Sequence, residues 1–161
     1  GAYLGSKLLF LLPLALVQTA WLGIFVDLAS GGLPGSLGLR LLLLMLTGLG
    51  FTCVCLAISA FAPTPGRAQS LCYTLAIAQV LLSGALLGMP RVLAGVVHPF
   101  ITAYYGWSGI IESLEGHALF APMSKMVNTW FAPPSLAASI LAVHCVAGVA
   151  LAWIGLCRRR R

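Results

Sequence analysis

Four stretches of twenty or more residues carry almost no charge, and they constrain this chain more than any motif does. They run over about Leu4–Leu28, Leu37–Phe61, Ala68–Leu87 and Ser135–Cys157. Crossing a ~30 Å hydrocarbon core takes about 20 helical residues, so each stretch is long enough to span. The whole chain is 60% hydrophobic and only 7% charged, whereas a soluble domain has roughly 25% charged residues. Too few polar side chains remain to cover a water-facing surface. A soluble enzyme, a disordered tail and a free nucleic-acid-binding domain are thereby excluded. The expected fold is an all-α integral membrane protein with four transmembrane helices in one domain, residues 1–161.

Gly and Pro punctuate the spans. Asp27 to Gly38 reads DLASGGLPGSLG, a turn between two Leu-rich helices, and residues 62–67 read APTPGR, which must end the second span. The connection from 88 to 134 mixes short apolar pieces with Pro90, Pro99, Gly116, Pro122, Pro133 and Pro134. No piece of it can cross a bilayer, so re-entrant or interfacial helices are expected before the last span. Such backbone is tolerated only where protein or water covers it. The first stretch is too long for a signal-peptide core and lacks a clear small-residue cleavage site.

The net charge of +6 reads as topology. With the amino terminus inside, Lys7, Arg67 and Arg158 to Arg161 fall on the inner side, and Arg40, Arg91 and Lys125 fall outside with Asp27, Glu112 and Glu115. The positive-inside rule then favours N-in/C-in, in a bacterial inner membrane. Tyr104, Tyr105, Trp107 and Trp130 are expected near the outer interface, where amphipathic rings are favoured. The terminal arginines read as an anchor, not as a nucleic-acid site.

The third stretch is patterned. At ~100° per residue, Gln69, Cys72, Tyr73, Ala76, Gln79, Val80 and Ser83 share an arc of about 120°. A polar stripe within a membrane must face the bundle, an oligomer interface or a water-filled path. Gln69, Tyr73, Gln79 and Ser83 are therefore candidate path or helix-interface residues. Gln18, an amide at mid-membrane five residues after Pro13, joins them. Gly84-x-x-x-Gly88 permits a close helix approach.

Catalytic signals are weak. His98, His117 and His144 form no i, i+3 or i, i+4 pair for metal or haem. Cys53, Cys55, Cys72, Cys145 and Cys157 lack C-x-x-C spacing and read as small apolar side chains, with Cys53 and Cys55 pointing apart. Glu112 and Glu115 read as a solvated or partner-facing edge. There is no phosphate-binding G-x-x-x-x-G-K-[ST]. No cofactor and no catalytic site are expected in this chain.

Ser59-Ala60-Phe61-Ala62-Pro63 with Ala68, Leu81-Leu82-Ser83-Gly84-Ala85-Leu86, and Pro99 through Glu112 with Tyr104, Tyr105 and Trp107 together carry a resemblance. The chain resembles the carboxy-terminal part of the membrane domain of type-2 ATP-binding-cassette exporters, the group that includes the G-subfamily half-transporters. The resemblance implies that the four spans correspond to the third through sixth of a six-span permease. It also implies partners: a nucleotide-binding domain supplying ATP and Mg, a second permease copy forming a dimer around the substrate path, and membrane lipid. The family's first two spans, coupling helix and nucleotide-binding domain have no counterpart here, so the residues are either an excerpt of a longer protein or a truncated permease. A small four-span redox or haem protein and a non-transporting membrane scaffold are the alternatives.

Overall fold

The computed structural model describes residues 2–85, 90–118, 120–126 and 130–158. Among them the chain forms seven α-helices and one 3-10 turn. The helices are α1 (Ala2–Ala29), α2 (Leu37–Phe61), α3 (Pro65–Leu82), α4 (Arg91–Val97), α5 (Thr102–Glu112), α6 (Phe120–Met126) and α7 (Pro134–Arg158), with the 3-10 turn at His98–Phe100. Three of them, Leu4–Ala29 within α1, α2 and α7, are long and apolar enough to cross a membrane. The chain is accordingly an integral membrane protein.

Capping explains where these helices begin and end. Ser36 opens α2 by accepting a hydrogen bond from the Leu39 amide at 3.4 Å, which satisfies one of the helix's orphan donors. Thr64 does the same for Arg67 at 3.4 Å, with Pro65 in the first turn of α3, where its missing N–H costs nothing. α3 therefore starts three residues before the sequence expectation. It also stops sooner, at Leu82, because Gly84 takes a left-handed φ of 79°. Residues 86 and 87 of the expected third span, and Gly88 of the glycine pair, lie outside the described residues, as do Arg159 to Arg161.

α2 is the axis of the bundle. α1 returns along it in antiparallel sense, its Thr19 meeting Gly48 and its Gly23 meeting Leu41 and Leu44. Asp27 and Arg40 close this hairpin with an ion pair at 2.5 Å, and Arg40 also donates to the Pro34 carbonyl at 3.1 Å. α7 instead runs parallel to α2. Gly148 lies against Cys53 and Gly155 against Ala60, a constant offset of 95 positions. Lipid tails are as apolar as leucine, so helices in a bilayer associate through close packing, not through burial from water. The α2–α7 seam fits that rule, with Gly50 beside His144 and Cys145, Cys53 at Gly148, Ala57 clustered with Ala152, and Ala60 at Gly155. A methyl added at Gly148 would lie 2.7 Å from the Cys53 carbonyl carbon.

α5 is wedged between α2 and α7. Thr102 sits at Gly50, Gly106 against Thr47, Gly109 at Leu43, and the Ser113 carbonyl beside Gly35. The start of α5 is thus thirteen residues into α2, about 20 Å from its first turn at 1.5 Å per residue. α3 lies antiparallel to α2, with the Cys72 thiol donating to the Cys55 carbonyl at 3.9 Å. Cys53 and Cys55 do point apart, one toward α7 and one toward α3. A buried cluster of Leu43, Ile101, Tyr104, Tyr105, Ala137 and Leu141 packs around α5, and a second of Leu4, Ala57, Ala60 and Ala152 packs near the chain ends.

Candidate functional site

The two faces of α3 differ in chemistry. Gln79 turns toward the bundle and is 5% exposed. Its Oε1 accepts from the Ala103 amide at 3.0 Å and the Thr102 hydroxyl at 3.1 Å, and its Nε2 donates to the Phe100 carbonyl at 3.4 Å. α5 has no side-chain cap of its own, so an amide from a neighbouring helix caps it. Ser83 is also buried and closes α3 locally, donating to the Val80 carbonyl at 2.8 Å and accepting from the Ala85 amide at 3.3 Å. Both side chains are satisfied inside the fold.

Gln69 and Tyr73 lie on the outward face. Tyr73 is 63% exposed, and the Gln69 amide donates to its hydroxyl at 3.1 Å. Ser70 and Thr74 are exposed beside them. The single stripe expected from the sequence is therefore divided: Cys72, Ala76, Gln79 and Ser83 lie toward the bundle, while Gln69, Tyr73 and Val80 face out. Gln18 is exposed on α1, apart from the other four.

The segment before α7 is held by aromatic and polar packing. His98 stacks on Tyr104 with centroids 3.7 Å apart, Tyr104 meets Tyr105 edge-on at 4.9 Å, and the Tyr104 hydroxyl donates to the Trp130 carbonyl at 2.5 Å. Tyr104 and Tyr105 are 2% and 6% exposed, so both rings pack inside the bundle. Trp130 is exposed. His98 Nε2 and Ser108 Oγ are buried without a hydrogen-bond partner among the described residues. His144 is engaged locally, its Nδ1 lying 2.9 Å from the Ile140 carbonyl. Glu112 ends α5, and burial, with neighbouring Glu115, raises its carboxyl from its ordinary value.

A cavity of about 610 Å³ opens at the end of the bundle that carries the amino terminus. Lys7, Thr52, Ser59 and Thr64 supply its polar lining, and Leu11, Phe51 and Leu56 its apolar walls. Its size is that of a small-molecule site. Sequence reasoning did not single out Thr52 or the Asp27–Arg40 pair, and met Ser59 and Thr102 only within the segments that carry the resemblance. The pair had a legible signal, a lone acid and a lone base flanking one turn, but the others depend on which helices meet.

Among the described residues, no group of three or more His, Cys, Asp or Glu side chains could hold a metal ion. No protein-family model, curated protein or solved structure matches the chain.

Proposed function

We propose that this chain is the transmembrane permease portion of an ATP-driven, ABC-type exporter, with α3 lining the substrate path. The observation that carries the reading is the outward face of α3. Gln69, Ser70, Tyr73 and Thr74 stand exposed there, on the least apolar of the four long helices. Gln69 and Tyr73 share one hydrogen bond, and lipid cannot satisfy the polar atoms that this bond leaves over, so a protein partner or water suits this face better. A second permease copy and an enclosed path between the two copies meet both needs.

A fourth crossing and a re-entrant segment belong to the same proposal. Because α2 and α7 are parallel, the intervening chain has to return to the side where α2 began, and antiparallel α3 is the helix available for that return. α5 then rises from mid-depth toward the α1–α2 turn, as a half-span helix covered by protein would. Lys7, Arg67 and Arg158 gather at one end of the bundle, which supports N-in/C-in. Nucleotide hydrolysis would reside in a domain outside these residues, and apolar or amphipathic cargo fits the chemistry of the path.

The test is labelling in native membranes with an impermeant thiol reagent, in a chain whose five cysteines are replaced. Gln69→Cys and Tyr73→Cys should react and should cross-link between copies, while Leu9→Cys on α1 should do neither. An apolar dye should leave membrane vesicles in an ATP-dependent manner, more slowly in Tyr73→Ala. Unreactive positions 69 and 73 would remove α3 from the path, and dye movement indifferent to ATP would remove the exporter reading.

A further inference from the structure

α1 and α7 both pack on α2, and between them lies an apolar trough of about 710 Å³. Leu12 forms one wall, Leu49 and Cys53 the floor, and Val146, Ala150 and Trp153 the other wall. The trough continues along α7 into a second hollow, which shares Trp153 and Ile154 with it and is bounded by Cys157 and Arg158. An apolar channel therefore ends at a guanidinium.

The dimensions match one leaflet. From Cys145 to Arg158 is thirteen residues of helix, about 20 Å, and half of a ~30 Å hydrocarbon core is ~15 Å. Trp153 lies five residues before Arg158 and is half exposed, an amphipathic ring near the charged end, where the interface favours it. We propose that this trough is a binding site for one anionic phospholipid, an acyl chain lying along α7 with the phosphate on Arg158. A guanidinium pairs with a phosphate through two parallel hydrogen bonds. The last carbonyls of α7 present partial negative charge to the same place, so without Arg158 that end of the trough repels a phosphate. Three further arginines follow in the sequence and add attraction for an anionic surface that is not specific to the trough. The site lies on a different helix from the proposed path and does not depend on it.

Native mass spectrometry decides the matter, with the purified chain released from nanodiscs containing equal phosphatidylglycerol and phosphatidylcholine of identical acyl chains. One phosphatidylglycerol per chain should be retained in preference to phosphatidylcholine. Arg158→Gln should reduce that retention about fivefold, the change that ~1 kcal/mol per basic residue near an anionic surface produces. Ala150→Trp, whose ring projects into the trough across the path of the acyl chain, should abolish it. Should that variant misfold, Arg158→Gln is set against Arg67→Gln, which removes the same charge from the same end of the bundle away from the trough: the first should cost more retention than the second, and equal losses would overturn the proposal. Brominated acyl chains should also quench fluorescence in the wild type more than in Trp153→Phe. Equal retention of the two lipids, retention unaltered in Arg158→Gln, or cross-linking of a photoreactive residue at Val146 to another chain instead of lipid would each overturn the proposal.

Discussion

Replacing Gln79 by leucine keeps the volume of the side chain and deletes its hydrogen bonds, which isolates the capping role. The substitution removes the acceptor for the Ala103 amide at 3.0 Å and for the Thr102 hydroxyl at 3.1 Å. The Thr102 hydroxyl can rotate, but the Ala103 amide cannot, and an unsatisfied buried donor costs ~1–3 kcal/mol. The Phe100 carbonyl, at 3.4 Å, contributes little because that bond is long. Together the loss is about 2–3 kcal/mol, which at ~1.4 kcal/mol per decade corresponds to a roughly 30- to 150-fold increase in local opening. Hydrogen exchange on the purified chain measures that opening directly. Exchange over residues 102–106 should accelerate by this factor, while α1 and the α2–α7 seam stay protected. Unchanged protection at Ala103 in a folded Gln79→Leu chain would refute the trans-helix cap. Uniform acceleration over the whole chain would refute it too, since the lost bonds would then be propping up the entire bundle.

Three further outcomes follow from the packing and the charges. Gly148→Ala should destabilise the bundle by about 1–3 kcal/mol through overpacking, because its methyl meets Cys53 backbone; Gly5→Ala, with nothing within 4 Å, should be neutral or stabilising, as thermal aggregation in detergent will report. Asp27→Asn should destabilise the α1–α2 turn by leaving Arg40, 6% exposed, without its counter-ion, and the exchanged pair Asp27→Arg with Arg40→Asp should recover part of the loss in protease resistance. Glu112 has its folded carboxyl raised by burial and then by Glu115. Its contribution is present below the unfolded value near 4.5 and is lost as pH rises through the higher folded value. Melting curves from pH 4 to 8 should show that loss in the wild type and a flatter profile in Glu112→Gln.

Much of the architecture is readable from hydropathy and punctuation. The expected spans 4–28, 37–61 and 135–157 match α1, α2 and α7 within two residues, because long uncharged runs are broken by Gly- and Pro-rich turns after α1, after α2 and before α7, and by arginines after α7. The third helix is less legible. Thr64-Pro65 is both a break after α2 and a good start for α3, and counting only the break places the helix too late. The faces of α3 were harder still. A helical wheel reports which residues share an arc, but whether Gln79 and Tyr73 look the same way depends on where α2 and α5 sit. Gln79 finds the start of α5, whereas Tyr73, six residues earlier, is mostly exposed and its hydroxyl accepts from Gln69 on its own helix. The burial of Tyr104 and Tyr105 is hard to read for a similar reason. Aromatic composition suggests an interface, while burial depends on the wedge between two parallel helices, which composition does not encode.

That parallel pairing also sets the order of assembly. α2 and its mate on α7 are 95 positions apart, Cys53 with Gly148 and Ala60 with Gly155. At a ribosomal pace of ~5–20 residues per second, roughly 5–20 seconds separate the emergence of the two faces. During that interval α1 can dock on α2 as an early hairpin, with Leu4 beside Ala57 and Ala60, but the stripe of Gly50, Cys53, Ala57 and Ala60 lacks the α7 half of its packing. The insertion machinery must shelter that stripe, or lipid must occupy it and later be displaced. A ribosome stalled at residue 130 would therefore hold an unfinished seam, which makes this bundle a substrate for quality control until its last helix arrives.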